Sequence, residues 1–392
     1  MITEEAAADW GSLIDQLRPI GEEMYGKLTS EDPQQRAEVD QMMMAVLVHG
    51  FLDLLGSNPD QPMLMPGYGI PMNYAAPNGD TIYCHTLIRG DGVYRISGDR
   101  NSVPVVNFGF GEVFYQLIGK LTPRVDYDID SLSVDDDGRY SVVVSAERPR
   151  GYDGDWWQMP TNTTYLGVRQ VMLDWEKEKD ATIAIERVDV PVNIPRRPAA
   201  DLRTQLALLP TWVRNGTGSW LDYVARIIAK PVNRLEAMAS YKGGGGLPGQ
   251  IILDGAYRFE PDQALIMEMD APRAKYWSVI LCDDLFATVD WMNHQSSLNL
   301  AQAELDPDGK MRLVVALTDP GVPNWLDPAG RVHGLVQARW LKPQIQPSVT
   351  MQPVPLADVR EHVHSSTRFV TPEERDDALR RRKRAFQARK WW

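Results

Sequence analysis

The sequence predicts a mainly β protein with helical segments. Two related β-sandwich or jelly-roll modules are preceded by helices, joined by a helical connector and closed by a C-terminal helix. Three observations carry this. Short runs rich in Val, Ile, Tyr and Phe, such as "TIYCHTLI", "VPVVNF" and "YSVVVSA", are punctuated by Gly, Pro, Asn and Asp, the pattern of antiparallel strands. Other stretches carry apolar residues at the three- and four-residue spacing of helices. The two β regions also repeat one another.

Residues 1–65 read as helical. In "PQQRAEVDQMMMAVLVHGFLDLLG", Val39, Met42, Met43, Val46 and Leu47 form one stripe. The first β module is expected over 66–198, where "DDDGRY" supplies a hairpin turn because glycine tolerates positive φ. A helical connector spans 199–246 and ends in "KGGGG", read as a hinge since glycine has little to pack and much entropy to lose. The second β module covers 247–342. A Pro-rich linker and a basic helix fill 343–392. There Thr371, Pro372 and Glu374 make an N-cap, a first-turn proline and a capping box.

The repeat has four matches in the same order. "DGVYRISGD" at Asp91 pairs with "DGAYRFEPD" at Asp254, and "DDGRYSVVVSA" at Asp136 with "PDGKMRLVVAL" at Pro307. "GDWWQMP" at Gly154 stands where "PNWLDPA" stands at Pro323, and "GVRQ" at Gly167 where "GLVQ" stands at Gly334. This alignment expects Tyr94 over Tyr257 and Trp157 near Trp325. It also marks the long loop "PGVPNWLDPAGRVHG", Pro320–Gly334, as one that either binds something or merely turns the chain.

Composition excludes several functions. The net charge is −12, from 53 acidic against 41 basic residues, which argues against nucleic acid or anionic membrane as partners. No stretch approaches the roughly 20 apolar residues of a membrane span. The N-terminus "MITEEAAADWGSLIDQL" lacks the features of a signal peptide, so the expected location is cytoplasmic. Cys84 and Cys282 sit in apolar runs and read as buried free thiols. No nucleotide-binding glycine motif or nucleophile elbow is present, so no cofactor is expected. The six histidines are scattered along the chain, and no metal site is expected.

The chain resembles two linked families known only as domains of unknown function, 1254 and 1214. "NYAAPNGDTIYCHTLIRGDGVYRI" carries the first likeness. "KYWSVILCDDLFATVDWMNHQSSLN" and "DPGVPNWLDPAGRVHGLVQARW" carry the second. The likeness implies paired β-sandwich domains and supplies no reaction and no catalytic residue.

Candidate site residues follow from chemistry alone. On a strand from Thr81 to Ile88, Tyr83, His85 and Leu87 share a face, with Asp80 at its entrance; Asp80 and His85 could form an acid–base pair. The bland alternative is a turn-forming Asp and a hydrogen-bonded core histidine. Glu112, beside aromatics, offers a second acid, or is a solvated loop glutamate; Tyr83 and Tyr115 offer ligand contacts. Trp157, Asp290, His294, Asn324, Trp325 and Asp327 lie in or near the loops and could contact a ligand, or could be packing and turn residues. The functional expectation is a cytoplasmic enzyme acting on a small, partly apolar molecule by acid–base chemistry at Asp80, His85 and Glu112, without a nucleotide cofactor. The competing expectations are a non-catalytic small-molecule or carbohydrate-binding protein and a structural or assembly protein. The C-terminal helix is expected to pack on its own chain or to support a homo-oligomer.

Overall fold

The computed structural model describes residues 9–28, 31–238 and 246–389. Most of the glycine run read as a hinge, and the last residues of the tail, lie outside the described residues.

Nine strands build the first module: β1 (Met65–Pro66), β2 (Thr81–Leu87), β3 (Tyr94–Asp99), β4 (Val105–Gly111), β5 (Arg124–Asp128), β6 (Arg139–Ser145), β7 (Trp156–Gln158), β8 (Tyr165–Val171) and β9 (Ala184–Arg187). They form two sheets, ordered β1-β2-β8-β4-β5 and β7-β6-β3-β9. The second module uses β10 (Glu236–Ala237), β11 (Gln250–Arg258), β12 (Gln263–Asp270), β13 (Tyr276–Cys282), β14 (Ser297–Asn299), β15 (Lys310–Ala316), β16 (Trp325–Leu326), β17 (His333–Leu341) and β18 (Val349–Pro355). Its sheets are ordered β10-β11-β17-β13-β14 and β16-β15-β12-β18. Adding nine to each strand number of the first module reproduces the second. Even the parallel pairings match, β6 with β7 and β15 with β16. The duplication read from the sequence is a duplication of topology.

The register differs in detail from the sequence alignment. The hairpin glycines Gly138 and Gly309, with φ of 81° and 80°, fix the comparison of β6 with β15. Val144 pairs with Tyr94 and its counterpart Val315 pairs with Leu265, so Tyr94 stands over Leu265 and not over Tyr257. Tyr257 belongs to the preceding strand, β11. Likewise Val143 pairs with Trp156 and Val314 with Trp325, so the counterpart of Trp325 is Trp156, and Trp157 matches Leu326. The "DGxYR" match at Asp91 and Asp254 joined segments in different strands of the repeat.

Alternate residues fill each sandwich, as facing sheets require. Val142, Val144, Phe108, Leu166 and Trp157 meet in the first core; Leu313, Val315, Val279, Leu281 and Val336 meet in the second. In β13 both faces are buried. Trp277, Val279 and Leu281 point into the sandwich, while Ile280 and Cys282 pack with residues of the helical connector. This explains the unbroken apolar run "YWSVILC". The second module is wider than its sequence limits, because β10 falls in the expected connector and β18 in the expected Pro-rich linker. β18 carries Pro353 and Pro355 without penalty because it lies at the sheet edge.

The helices α1 (Trp10–Tyr25) and α2 (Pro33–Gly50) lead the chain, and α2 runs on into a π turn over Phe51–Leu55. α3 (Tyr115–Ile118) and α4 (Ala199–Leu206) are short. α5 (Leu209–Ile228) packs against α1 and α2 around the fully buried Trp212. After α6 (Val359–His362), α7 (Pro372–Ala388) starts with the expected capping box. The Thr371 side chain accepts from the Glu374 N–H at 3.2 Å, and the Glu374 carboxylate accepts from the Thr371 N–H at 2.9 Å.

α7 packs on its own chain. Ala385 and Phe386 enter the first module's core beside Trp175 and Trp291. Arg382 lies over Trp175 and donates to the Trp291 carbonyl and the Ser297 hydroxyl, both at 2.6 Å. Arg389 pairs with Asp180 at 2.8 Å. Arg375 donates to the Val322 carbonyl at 2.6 Å, within the Pro320–Gly334 loop, and lies over Trp325. Among the described residues no helix is long and apolar enough to cross a membrane. Both cysteines are free, and burial pushes each thiol up to about 12.

Candidate functional site

β2 alternates its side chains as its strand geometry demands. Ile82, Cys84 and Thr86 turn one way; Tyr83 and His85 turn the other, toward a cleft between the modules. The cleft measures about 1190 Å³ out to its open mouth. His85 fits because glycines flank its ring. A Cβ at Gly67 would come 3.0 Å from its Cε1, and one at Gly167 3.3 Å from its Cδ2.

Behind His85 stands the end of α2. His49 and Asp53 are four residues apart, and so on one helix face. The helix widens there into its π turn, closed by the Gly56 N–H donating to the Phe51 carbonyl at 2.8 Å. Such turns are frequent at functional sites. They bring three groups together. His49 Nε2 lies 3.2 Å from Asp53 Oδ2, His85 Nδ1 lies 3.4 Å from the same oxygen, and the two nitrogens lie 3.3 Å apart. Asp53 is fully buried, and the two imidazole nitrogens are its charged-group neighbours.

Burial would drive the Asp53 carboxyl up, but the His49 and His85 imidazoles outweigh it and hold it down at about 2. Burial lowers His85, against the pull of Asp53, so its imidazole is neutral at pH 7. The other His49 nitrogen, Nδ1, meets the Tyr74 hydroxyl at 2.6 Å. Gln116 donates to the hydroxyls of Tyr74 and Tyr68, each at 3.3 Å. Burial raises Tyr68, Tyr74 and Tyr115 well above the usual phenol range, so all three stay protonated.

Two imidazoles and a carboxylate are a ligand set for a divalent first-row transition ion. In tetrahedral geometry with bonds of about 2.0–2.1 Å, donor atoms sit about 3.3 Å apart. The triangle of His49, Asp53 and His85 has those edges. The sequence expectation of no metal site rested on the scatter of the histidines, and folding removes that scatter for His49 and His85.

Of the residues singled out by sequence, His85, Tyr83 and Tyr115 line the cleft. Asp80 does not. It is buried as a strut between modules, accepting from Trp175 and Asn299 at 2.8 Å each and from the Tyr276 hydroxyl. Burial raises its carboxyl. Glu112 is exposed and stands outside the cleft lining. Trp157 is core, stacked on Tyr127. Asp290 is exposed and caps the turn at Met292 and Asn293.

His294 pairs with Asp327 at 2.7 Å, and Asp327 also accepts from the Ala329 N–H. Asn324 spends its side chain on Glu304 and the Arg312 carbonyl, and the Trp325 indole donates to the Ala316 carbonyl. None of these residues lines the cleft. The Pro320–Gly334 loop holds its own turns and the start of α7. Sequence reasoning missed Asp53, Gln116, Arg124, Arg169, Gln337 and Arg339. It noted His49 only as one of the scattered histidines. The one available signal was the four-residue spacing of His49 and Asp53 in a predicted helix.

The chain is similar in fold to a crystal structure of an uncharacterized protein from Burkholderia cenocepacia. The two are 26% identical, with a TM-score of 0.83, over 89% of this chain and 97% of that one. A Vibrio parahaemolyticus protein aligns at 11% identity and a TM-score of 0.46, over 87% of this chain and 100% of that one. No curated protein matches. Residues 254–344, most of the second sandwich, match the family described as a protein of unknown function, DUF1214.

Proposed function

We propose that the cleft is the active site of a metal-dependent enzyme acting on a small, partly apolar organic molecule. The ion is held by His49 Nε2, Asp53 Oδ2 and His85 Nδ1. The observation that carries the reading is the triangle of 3.2, 3.4 and 3.3 Å, whose carboxylate corner is fully buried. A fully buried carboxylate is costly unless paired, and a cation shared with the two imidazoles would pair it more strongly than they do alone. A bound ion would polarise a substrate oxygen or lower the pKa of a bound water. His85 is the ligand that reaches the cleft wall. Tyr74 fixes His49 from behind, as outer partners of ligating histidines do.

A second reading keeps His85 as a metal-free general base oriented by Asp53, favoured by its neutral imidazole beside an ionised carboxylate on the cleft wall. Metal analysis of the purified protein, followed by chelation, separates the two. Bound metal lost together with ligand turnover supports the first. A metal-free protein whose activity depends on His85 supports the second. Binding with no turnover under either condition leaves a binding protein.

A further inference from the structure

The chain is acidic overall, yet its cleft is not. Arg124, Arg169 and Arg339 line it, and among the described lining residues there is no Asp or Glu. Three cations in this cleft of a protein with net charge −12 require a local reason.

Arg339 is the most informative. It stands on β17 facing the cleft, while its neighbours Ala338 and Trp340 face the sandwich core. It is 7% exposed. Its Nη2 donates to the Ala76 carbonyl at 2.6 Å, but its buried Nη1 has no acceptor. Among the described residues no carboxylate comes within ion-pair distance of it. Asp254 on the neighbouring strand β11 is engaged by the Tyr223 hydroxyl. Gln337, two residues earlier on the same face, is 2% exposed, and its amide oxygen also lacks a partner. The two ends of a glutamine amide exchange by a half turn, so Gln337 can present a donor beside Arg339. On the first module's wall, Arg124 keeps a buried Nε unpaired while its Nη2 reaches the Gly246 carbonyl at 2.9 Å and Asp126 at 3.5 Å.

A buried guanidinium edge with no acceptor is expensive, and a planar two-oxygen anion matches it. The rest of the wall mixes polar and aliphatic side chains with aromatic rings, among them Tyr83, Phe114, Tyr165, Trp220 and Phe286. Such rings select an apolar body. We infer that the cleft binds a small monocarboxylate with an aromatic or apolar body, its carboxylate held by Arg339 and Gln337. This names the substrate class of the proposed active site and rests on that reading of the cleft.

The test measures binding of phenylacetate, neutral phenylacetamide, phenyl phosphate and octanoate to the full chain by calorimetry, with metal content determined on the same samples. Metal-loaded and chelator-stripped protein are compared, alongside Arg339→Gln and Gln337→Leu. A carboxylate is expected to bind at least tenfold tighter than the amide, in both loaded and stripped protein. Arg339→Gln is expected to lose at least tenfold with melting and metal content unchanged. If that variant misfolds, Gln337→Leu and the wild-type preference for carboxylate over amide decide.

The inference fails if the amide binds as well as the acid, if neither carboxylate binds at millimolar concentration, or if stripping the metal abolishes carboxylate binding. A tenfold preference for phenyl phosphate also overturns it. Carboxylate binding that depends on Arg339 in a protein holding no metal would sink the metal centre and leave this inference standing.

Discussion

His49 Nε2 and His85 Nδ1 lie 3.3 Å apart, one at the end of a helix and the other in the middle of a strand. Both also face one oxygen of a buried carboxylate. Two imidazole nitrogens and a carboxylate oxygen this close need a proton or a cation among them. Among the described residues no Lys or Arg pairs with Asp53, so the two imidazoles are its charge partners.

The Tyr74 hydroxyl should matter through His49. Removing it in Tyr74→Phe leaves the ring packing intact but frees His49 Nδ1. Metal affinity is expected to fall by about 10- to 100-fold, the usual loss for an outer partner of a ligating histidine. Competition against a chromogenic chelator measures it, and an unchanged affinity would remove Tyr74 from the site.

Gly67→Ala tests the seating of His85. The added Cβ would lie 3.0 Å from Cε1 and 3.1 Å from Nδ1 of the imidazole, so the ring must shift. Metal affinity should drop at least tenfold while the fold, followed by circular dichroism, is retained. Affinity equal to wild type would show that His85 has more room than these distances allow.

α7 should be a stability element. Phe386 is 2% exposed in the first module's core. Phe386→Ala should cost about 3–5 kcal/mol in denaturant unfolding. Deletion of Pro372–Trp392 should lower the melting temperature without changing elution volume, since the apolar stripe meets the chain's own body. An unchanged melting temperature would contradict this packing.

Much of the fold was legible in the sequence and little of the site. Strand alternation and the repeated hairpin "DG" revealed two sandwiches, because period and turn chemistry are local. Register was misread at Tyr94 and Tyr257, where similar tyrosines occupy different strands. His85 was visible because a strand's alternation places it on a face with Tyr83. Its partners were not, because a helix–strand contact across the interior has no sequence period. Asp80 looked catalytic and proved to be a strut, since the Tyr276, Trp175 and Asn299 donors that surround it come from distant segments.

The Pro320–Gly334 loop gives a further expectation. Trp325→Ala should destabilise the protein through lost packing beneath Arg375, with metal affinity and carboxylate binding unchanged. A folded variant with impaired cleft binding would return this loop to the site.

Asp283 predicts a pH effect. Burial pushes its carboxyl up to about 6, against the Leu285 and Ala287 N–H groups that stabilise its charge; Arg331 favours that charge and Glu38 opposes it. The unfolded carboxyl ionises near 3.9. Between about pH 4 and 6 the folded state therefore holds a proton that the unfolded state has lost, and stability falls as pH rises through that window. Asp283→Asn should remove this fall. The difference between wild-type and variant melting temperatures, taken from pH 4 to 7, reads it directly, and a constant difference would refute it.

The most direct measurement is the metal content of the protein purified without chelator and then equilibrated with Zn²⁺, Fe²⁺, Mn²⁺, Co²⁺ or Ni²⁺. About one tightly bound transition ion per chain is expected, retained through desalting and lost in both His49→Ala and His85→Ala. Protein that retains none of these ions, or that retains the same amount in the two variants, would contradict it.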